Sequence, residues 1–530
     1  MQEDAARGPT YDAIVVGAGP NGLVAANHLA DAGWSVLLVE AQDTPGGAVR
    51  SARDVHPDFV HDTFSAFYPL AAVSPWIQGM QLERHGLAWR HAPAVLGHPL
   101  PDGRWAMLDR DREVTARLLA QQHPEDGQAW LELCDQWDVI GEQIVGVLLS
   151  PFPPVKHGLG ALLRLRRAGG LGLVRDLLMP AADFSRIRFA GDAPALLIGG
   201  NAGHADIPLT APGSALFGLL LTMLGQTVGF PVPEGGPGQL VAALVRRFKA
   251  AGGELRCSSE VARVTTEYGA TTGVRLADGQ HLKARVVVAD VVATKLFGDL
   301  VPVHELPARI VKGMRGFQLD PGTVKVDWAL SGPIPWASAP PSQPGTFHIA
   351  DSPEQMIGAL QQVASRTVPE KPFMLGGQMT TTDPTRSPAG TESVWAYSHV
   401  PQDVHQDLGG DGLTGRWDRD ECERFGDRMQ ARIEALAPGF SDRILARRVL
   451  GPHEFEARDA NLVGGAINGG TAQLHQQLVF RPVPGLGRAE TGIRGLYLGS
   501  ASAHPGGGVH GAPGMNAARA ALAHARLRRR

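Results

Sequence analysis

A mixed α/β fold built on a Rossmann-type nucleotide-binding unit is predicted by three observations. Residues 11–16 (YDAIVV) are a short apolar run rich in β-branched side chains. The run stops at Gly17-Ala18-Gly19-Pro20-Asn21-Gly22, and the alanine-rich LVAANHLADAG that follows has a helical pattern. A second apolar run, residues 35–39, ends at Glu40. Strand, glycine turn, helix, strand and acid in this order are what grips the adenosine diphosphate half of a dinucleotide. Gly17 permits the tight turn, Gly19 lets the backbone approach a pyrophosphate, and Gly22 lets the helix pack on the strands. The helix N-terminus offers unpaired N–H groups to the phosphates. The Glu40 carboxylate would accept hydrogen bonds from ribose hydroxyls. The spacing alone does not distinguish FAD from NAD.

The rest of the chain bounds the reading. Its 530 residues imply two lobes or one large composite fold, and 43% hydrophobic against 19% charged residues supports a large buried core. A formal net charge of −4 offers nucleic acid no general attraction. Cys134, Cys257 and Cys422 are too few and too scattered for a disulfide framework, and no histidine spacing suits a metal. The polar, acidic first ten residues lack the pattern of an export signal, so a cytoplasmic location is expected. The longest apolar run, residues 215–230, is interrupted by polar residues and glycines and fits a buried helix better than a membrane span. Residues 159–179 (LGALLRLRRAGGLGLVRDLLM) mix leucines with Arg164, Arg166, Arg167 and Arg175. A packed segment is the favoured reading and peripheral membrane contact the minority one, because Gly169-Gly170 interrupts the helix and leucine faces are usually core.

Further along, GQLVAALVRRFKAAGG has helical spacing, TTGVRLADG and HLKARVVVAD read as paired strands, TVKVDWAL, FMLGGQMTT and ESVWAYSHV read as strands, and DECERFGDRMQARIEALAPG reads as a helix. A last apolar strand ends at Gly499-Ser500. A glycine-rich loop (HPGGGVHGAPG) and a helix from about residue 514 to 526 follow it.

Residues 17–50, with Gly46-Gly47 and Arg50 after the second strand, resemble the FAD-binding start of flavoproteins related to amine oxidases and phytoene desaturases. The closing segment, Gly499-Ser500 with His504-Pro505-Gly506-Gly507-Gly508-Val509-His510, is similar to the final motif of phytoene dehydrogenase-related proteins. Within these it looks most like the branch called pyridine nucleotide-disulfide oxidoreductase domain-containing protein 2. The resemblance implies FAD, with the last helix aiming its N-terminus at the flavin ring. It also implies backbone contact from Val261 to adenine, and cofactor contacts from Gly17, Gly19, Pro20, Asn21, Gly22, Glu40, Gly46, Gly47, Arg50, Gly499, Ser500, Gly507, Gly508 and Val509. The FAD-binding domain is expected to be discontinuous, over 1–65, 235–300 and 486–530. An α+β substrate domain would span 66–234 and 301–485.

His504 and His510 are placed by the motif in the flavin loop and are the candidates for moving a proton. Asn468, Gln473, His475 and Arg481 are candidates for substrate contact. Residues 488–492 depart from the family pattern, as does His510 itself, where relatives carry an apolar residue. No second GxGxxG with its own strand, helix and acidic residue appears, and there is no CxxC, so a disulfide reductase is disfavoured. The expected activity is FAD-dependent removal of hydride from a lipophilic small molecule, with dioxygen or a quinone among the acceptors. The alternatives are a redox-neutral flavin isomerase, an amine oxidase, or a non-catalytic lipid carrier. Oligomeric state is not legible.

Overall fold

The computed structural model describes residues 10–485 and 487–529. The acidic first segment, read above as lacking an export signal, lies outside the described residues. A seven-stranded sheet has a parallel centre in which His281–Ala289 is flanked by Leu496–Leu498 and Thr10–Val16. Val36–Val39 and Glu254–Arg256 continue it beyond Thr10–Val16. Ile14 pairs with Val287 on one side and Leu37 on the other, and all three have no exposed surface. Burial on both faces is why these strands are continuous apolar runs, not alternating ones. The antiparallel strands Val261–Glu267 and Ala270–Leu276 extend the sheet.

Three backbone hydrogen bonds of 2.8 Å tie the carboxyl ends of the central strands together. Gly17 N–H donates to Val39 O, Asp290 N–H to Val16 O, and Gly499 N–H to Ala289 O. Helix α1 (Pro20–Asp31) springs from this edge, with Pro20 in its first turn supplying a φ already suited to a helix.

A second seven-stranded sheet is largely antiparallel, in the order Ile444–Leu450, Gly322–Leu330, Glu392–Val400, Met374–Gln378, Pro344–Ile349, Ala94–Pro99, Trp105–Leu108. One face packs Val394, Ala396 and Val400 on Phe425, Met429 and Ile433 of the helix Arg419–Leu436. Trp395, Tyr397 and His399 alternate onto the opposite face. The run FMLGGQMTT leaves the sheet after Gln378, because the Glu392 carboxylate captures the N–H groups of Thr380 and Thr381. The apolar run near 215–230 is a largely buried helix, Ser214–Thr227.

The arginine–leucine segment departs from the packed reading. It forms two short helices, α2 (Val155–Leu165) and α3 (Leu171–Leu178), separated at Gly169-Gly170. No residue of α2 is buried, and of α3 only Leu173 is. Ala161 and Leu165 rest on Ile140 and Ile144 of the long helix Pro124–Leu149, and the other leucines of α2 face outward.

The closing helix α4 (Ala512–Arg529) starts earlier than the spacing predicted, since His510 Nδ1 accepts the Ala512 N–H at 3.1 Å. It lies directly against α1. A Cβ on Gly514 would sit 1.9 Å from the Asn21 carbonyl oxygen, so only glycine permits this approach.

A buried charge cluster joins the second sheet to the segment after the glycine loop. The Arg386 guanidinium pairs with Asp62, and Lys325 Nζ pairs with Asp327 and donates to the Asp62 carbonyl at 2.8 Å. Arg448 pairs with Asp327 at 2.7 Å. Burial alone would raise the Asp327 pKa, but Lys325 and Arg448 outweigh it and hold it at about 2. Arg386 and Asp62 have no exposed side-chain surface. Replacing Arg386 by alanine strands a buried carboxylate and is expected to cost about 3–5 kcal/mol. Arg419→Ala, at an exposed i,i+4 pair with Glu423, is expected to cost less than about 0.5 kcal/mol. Urea midpoints read by tryptophan fluorescence compare the two, and equal shifts would refute this ranking.

Candidate active site

The glycine turn is built by close approach. Gly17 has φ +93°, and a Cβ there would meet the Asp290 carbonyl oxygen at 2.7 Å. A Cβ on Gly22 would lie 2.0 Å from Gly17 O, and one on Gly19 would lie 2.7 Å from Asp290 Oδ2. Gly19 is the extended N-cap of α1 and provides no side-chain cap. The backbone groups at this helix start are served instead by Asp290, whose Oδ2 accepts the Gly22 N–H at 2.9 Å.

Burial, with Asp459 and Glu40 adding to it, pushes the Asp290 carboxyl up to about 8 although the Gly22 N–H opposes the shift. Asp459 is raised by burial as well. Sequence reasoning did not single out Asp290. The signal was its place directly after the buried VVVA run, at the carboxyl end of a parallel strand, where open α/β sheets bind ligands.

The other predicted cofactor residues gather at the same edge. Glu40 accepts N–H groups from Ala18 at 2.8 Å and Gln42 at 2.9 Å, which joins the turn to the end of the second strand. Ser259 N–H donates to Glu40 O at 2.8 Å and brings Val261 alongside. Gly46 N–H donates to Ala18 O, and a Cβ on Gly47 would stand 3.1 Å from the Gly19 Cα. Arg50 Nε donates to Gly47 O at 2.9 Å and its guanidinium lies over Phe64. From the far end of the chain, Gly499 and buried Ser500 lead into the loop of Gly507, Gly508 and Val509.

Asn21, in the first turn of α1, and Asn516, the fifth residue of α4, each hold a buried Oδ1 without a partner. Two helix N-termini without acidic residues in their first turns converge on a glycine-lined cradle, which suits an anionic pyrophosphate, and the orphaned amide oxygens can accept from hydroxyl or N–H donors of a dinucleotide. The residues present fit FAD.

The proton candidates separate. Both ring nitrogens of His510 are occupied, Nε2 donating to Gly507 O at 3.2 Å and Nδ1 accepting from Ala512 N–H. This geometry makes it the cap of α4 and corrects its reading as a proton acceptor. His504 Nε2 donates to Ser150 O at 3.0 Å, and its Nδ1 has no partner. Burial lowers both imidazoles to about 4, so each is neutral near pH 7.

The substrate candidates separate too. Arg481 is buried and donates to the carbonyls of Asn468, Gly470, Thr471 and Ala501, so it braces the loop instead of facing a ligand. His475 is exposed, on the outer surface of a 3₁₀ turn. Gln473 is half-buried, with a backbone contact to Thr471. Asn468 does reach the flavin loop: a Cβ on Gly507 would lie 2.2 Å from its Oδ1.

From Asn468 a chain of contacts runs through residues that sequence reasoning passed over. Its Nδ2 donates to Asp206 Oδ2 at 2.6 Å and approaches His204 O at 3.4 Å. His204 Nδ1 and the Tyr397 hydroxyl share a hydrogen bond of 3.2 Å. Tyr397 stacks on Trp395, which meets Phe67, and Leu70 lies against Gly508. Along these contacts, Phe67, Leu70, His204, Tyr397, Asn468 and Gly507 all keep accessible surface. Behind it, His399 and Asp206 lie 2.8 Å apart, off the line of a hydrogen bond, and Asp206 outweighs burial to raise the His399 pKa.

Residues 15–80 match the family model described as an NAD(P)-binding Rossmann-like domain. Pyridine nucleotide-disulfide oxidoreductase domain-containing protein 2 of Mus musculus is 29% identical, over 96% of this chain and 93% of that protein. The lycopene-forming phytoene desaturase of a Paracoccus species is 27% identical, over 95% of each. The solved structure of wild-type putrescine oxidase bound to putrescine shares the fold, with a TM-score of 0.61, 17% identity and coverage of 98% and 99%. With such relatives along nearly its whole length, this fold and this nucleotide cradle, the chain is similar to the phytoene desaturase-related oxidoreductases in sequence and shares its fold with putrescine oxidase.

Proposed function

We propose that the protein is a dehydrogenase that introduces unsaturation into a lipophilic small molecule. The observation that carries this reading is the set of partly accessible, mostly aromatic and apolar side chains, Phe67, Leu70 and Tyr397 among them, gathered beside the Gly507–Gly508 loop. Bound FAD supplies a hydride acceptor, and an external oxidant such as dioxygen or a quinone takes the electrons onward. The glycine turn and the start of α1 would hold the pyrophosphate, Glu40 and Val261 would serve the adenosine, and the start of α4 would offer positive potential to the ring system.

Phe67, Leu70 and Tyr397 position the apolar substrate and exclude water, while Asn468 fixes the loop beside them. The substrate loses a hydride from one carbon and a proton from its neighbour, leaving a double bond. His504 takes the proton: its Nε2–H is committed to Ser150 O, so Nδ1 carries an unshared lone pair. On this reading, 1–65, 235–300 and 486–530 hold the cofactor and the remaining segments hold the substrate.

Anaerobic mixing of the flavin-loaded protein with panels of lipophilic alkenes, amines and acyl compounds tests the reading. Bleaching of the visible flavin band by the alkene or acyl panel is expected. His504→Gln is expected to slow that bleaching by about 10²-fold with flavin content unchanged. Bleaching by amines alone would refute the desaturation reading, and conversion without bleaching would point to isomerisation instead.

Cofactor affinity should depend on pH through Asp290. Its raised pKa means the carboxyl is neutral below about 8 and becomes an anion beside the pyrophosphate above it. FAD is therefore expected to bind more weakly as pH rises through that value, and Asp290→Asn to flatten the dependence. Flavin fluorescence titrations across this range measure it. An unchanged slope in the variant would reject Asp290 as the responsible group.

A further inference from the structure

The α2–α3 hairpin carries seven exposed large apolar side chains, from Val155 to Leu178. On α2, Val155, Leu159, Leu162 and Leu163 recur at i, i+4, i+7 and i+8, which places them on one side of the helix. Val155 is 73% exposed, Leu162 66%, Leu163 74%, and Leu171 at the start of α3 81%. This is not the inward face, because Ala161 and Leu165 fill that role. Two apolar faces on one short helix leave the outer one without a partner in this chain, and water is a poor one for it.

The patch does not end with the hairpin. Gly213 N–H donates to the Leu178 carbonyl at 2.9 Å, and a Cβ on Gly213 would touch Leu474 at 2.9 Å. Leu474, Leu478 and Phe480, on the two 3₁₀ turns beyond, are exposed in their turn.

The charges on the hairpin are predominantly basic, with Asp176 of α3 the one acid within it. Lys156, Arg164, Arg166 and Arg167 are exposed and make no ion pair among the described residues. Arg175 pairs with Asp176 on its own helix. This basic fringe belongs to a chain whose formal net charge is −4, so it is a local departure from the overall balance. Flexible basic side chains bordering exposed leucines match a surface with an apolar interior and anionic headgroups. No helix of the described residues is long and apolar enough to cross a membrane, so the fit is to lying on a bilayer.

We propose that the α2–α3 hairpin, continued by Leu474, Leu478 and Phe480, docks this protein on an anionic phospholipid bilayer, its leucines entering the acyl boundary and its basic side chains meeting the headgroups. The docked face would set the substrate lobe at the bilayer boundary. The root of α2 lines a cavity of about 420 Å³ shared by Pro151, Phe152, Val155, His504 and Asn516. A lipophilic compound leaving the bilayer would thus meet the flavin-loop histidine without crossing water. That consequence rests on the dehydrogenase reading, whereas the docking does not.

Flotation of the flavin-loaded, full-length protein with vesicles of phosphatidylcholine, or of phosphatidylcholine mixed equally with phosphatidylglycerol, tests the docking. The protein is expected to float with the mixed vesicles and to be released by salt. The double variant Leu162→Glu, Leu163→Glu and the double variant Arg164→Glu, Arg166→Glu are each expected to lower partitioning by about tenfold or more. Both are expected to keep the wild-type flavin absorbance and thermal midpoint, since their side chains touch no buried residue of the nucleotide lobe. Equal flotation with both vesicle types, no flotation, or variants that float like wild type would overturn the proposal. So would a dimer in sedimentation that the leucine variant dissociates, since a second copy would then cover the face. Flotation is read without turnover, so failure of the redox reading leaves its outcome intact.

Discussion

Two helix N-termini pressed backbone to backbone are the constraint on which the rest of this molecule depends. Gly514 of α4 sits against the carbonyl of Asn21 in α1, an approach no side chain would allow. The positive ends of two macrodipoles, neither with a carboxylate in its own first turn, are thereby brought to one place. Such a concentration of unpaired N–H groups is costly unless something negative or strongly accepting lies before it. The protein supplies one acceptor from a third segment, the Asp290 carboxyl on the Gly22 N–H, and keeps it largely neutral by burial. A dinucleotide pyrophosphate supplies the rest.

The second lobe is organised around the opposite problem, burying charge. Arg386, Lys325 and Arg448 face Asp62 and Asp327 with almost no solvent. Because Asp62 follows the glycine loop while the others lie on or near the second sheet, the cluster fixes that sheet against the nucleotide lobe. Trp395 and Tyr397 share the face that bears Lys325 and Asp327, and the contacts around Tyr397 are anchored by it. Asn468 and Arg481 then lock the flavin loop to the same wall, one through its amide and the other through four carbonyls.

The nucleotide cradle was legible in the sequence because its signals are local: glycines at fixed offsets, a buried β-branched run before them, an acid at the end of the next strand. Asp290 was less visible, since its role exists only once the strand at 281–289 lies beside the one at 10–16. Tyr397, and His204 with Asp206, were invisible for the same reason, coming from two distant segments with no motif of their own. Arg481 and His510 misled in an instructive way. Both stand in a loop that touches the cofactor region, yet a glycine-rich loop has many backbone groups to satisfy, and these side chains satisfy them. The α2–α3 segment shows the limit of composition, because leucines at helical spacing look the same whether they face a core or face outward.

The central sheet needs its last strand, Leu496–Leu498, as much as its first, and α4 closes on α1 only after that. During synthesis the amino-terminal strands and α1 therefore leave the ribosome hundreds of residues before the partners that complete them. Until then the nascent chain must carry an unfinished parallel sheet with bare edges, the kind of intermediate that recruits chaperones. Cofactor loading then waits on the synthesis of Leu496–Leu498 and α4.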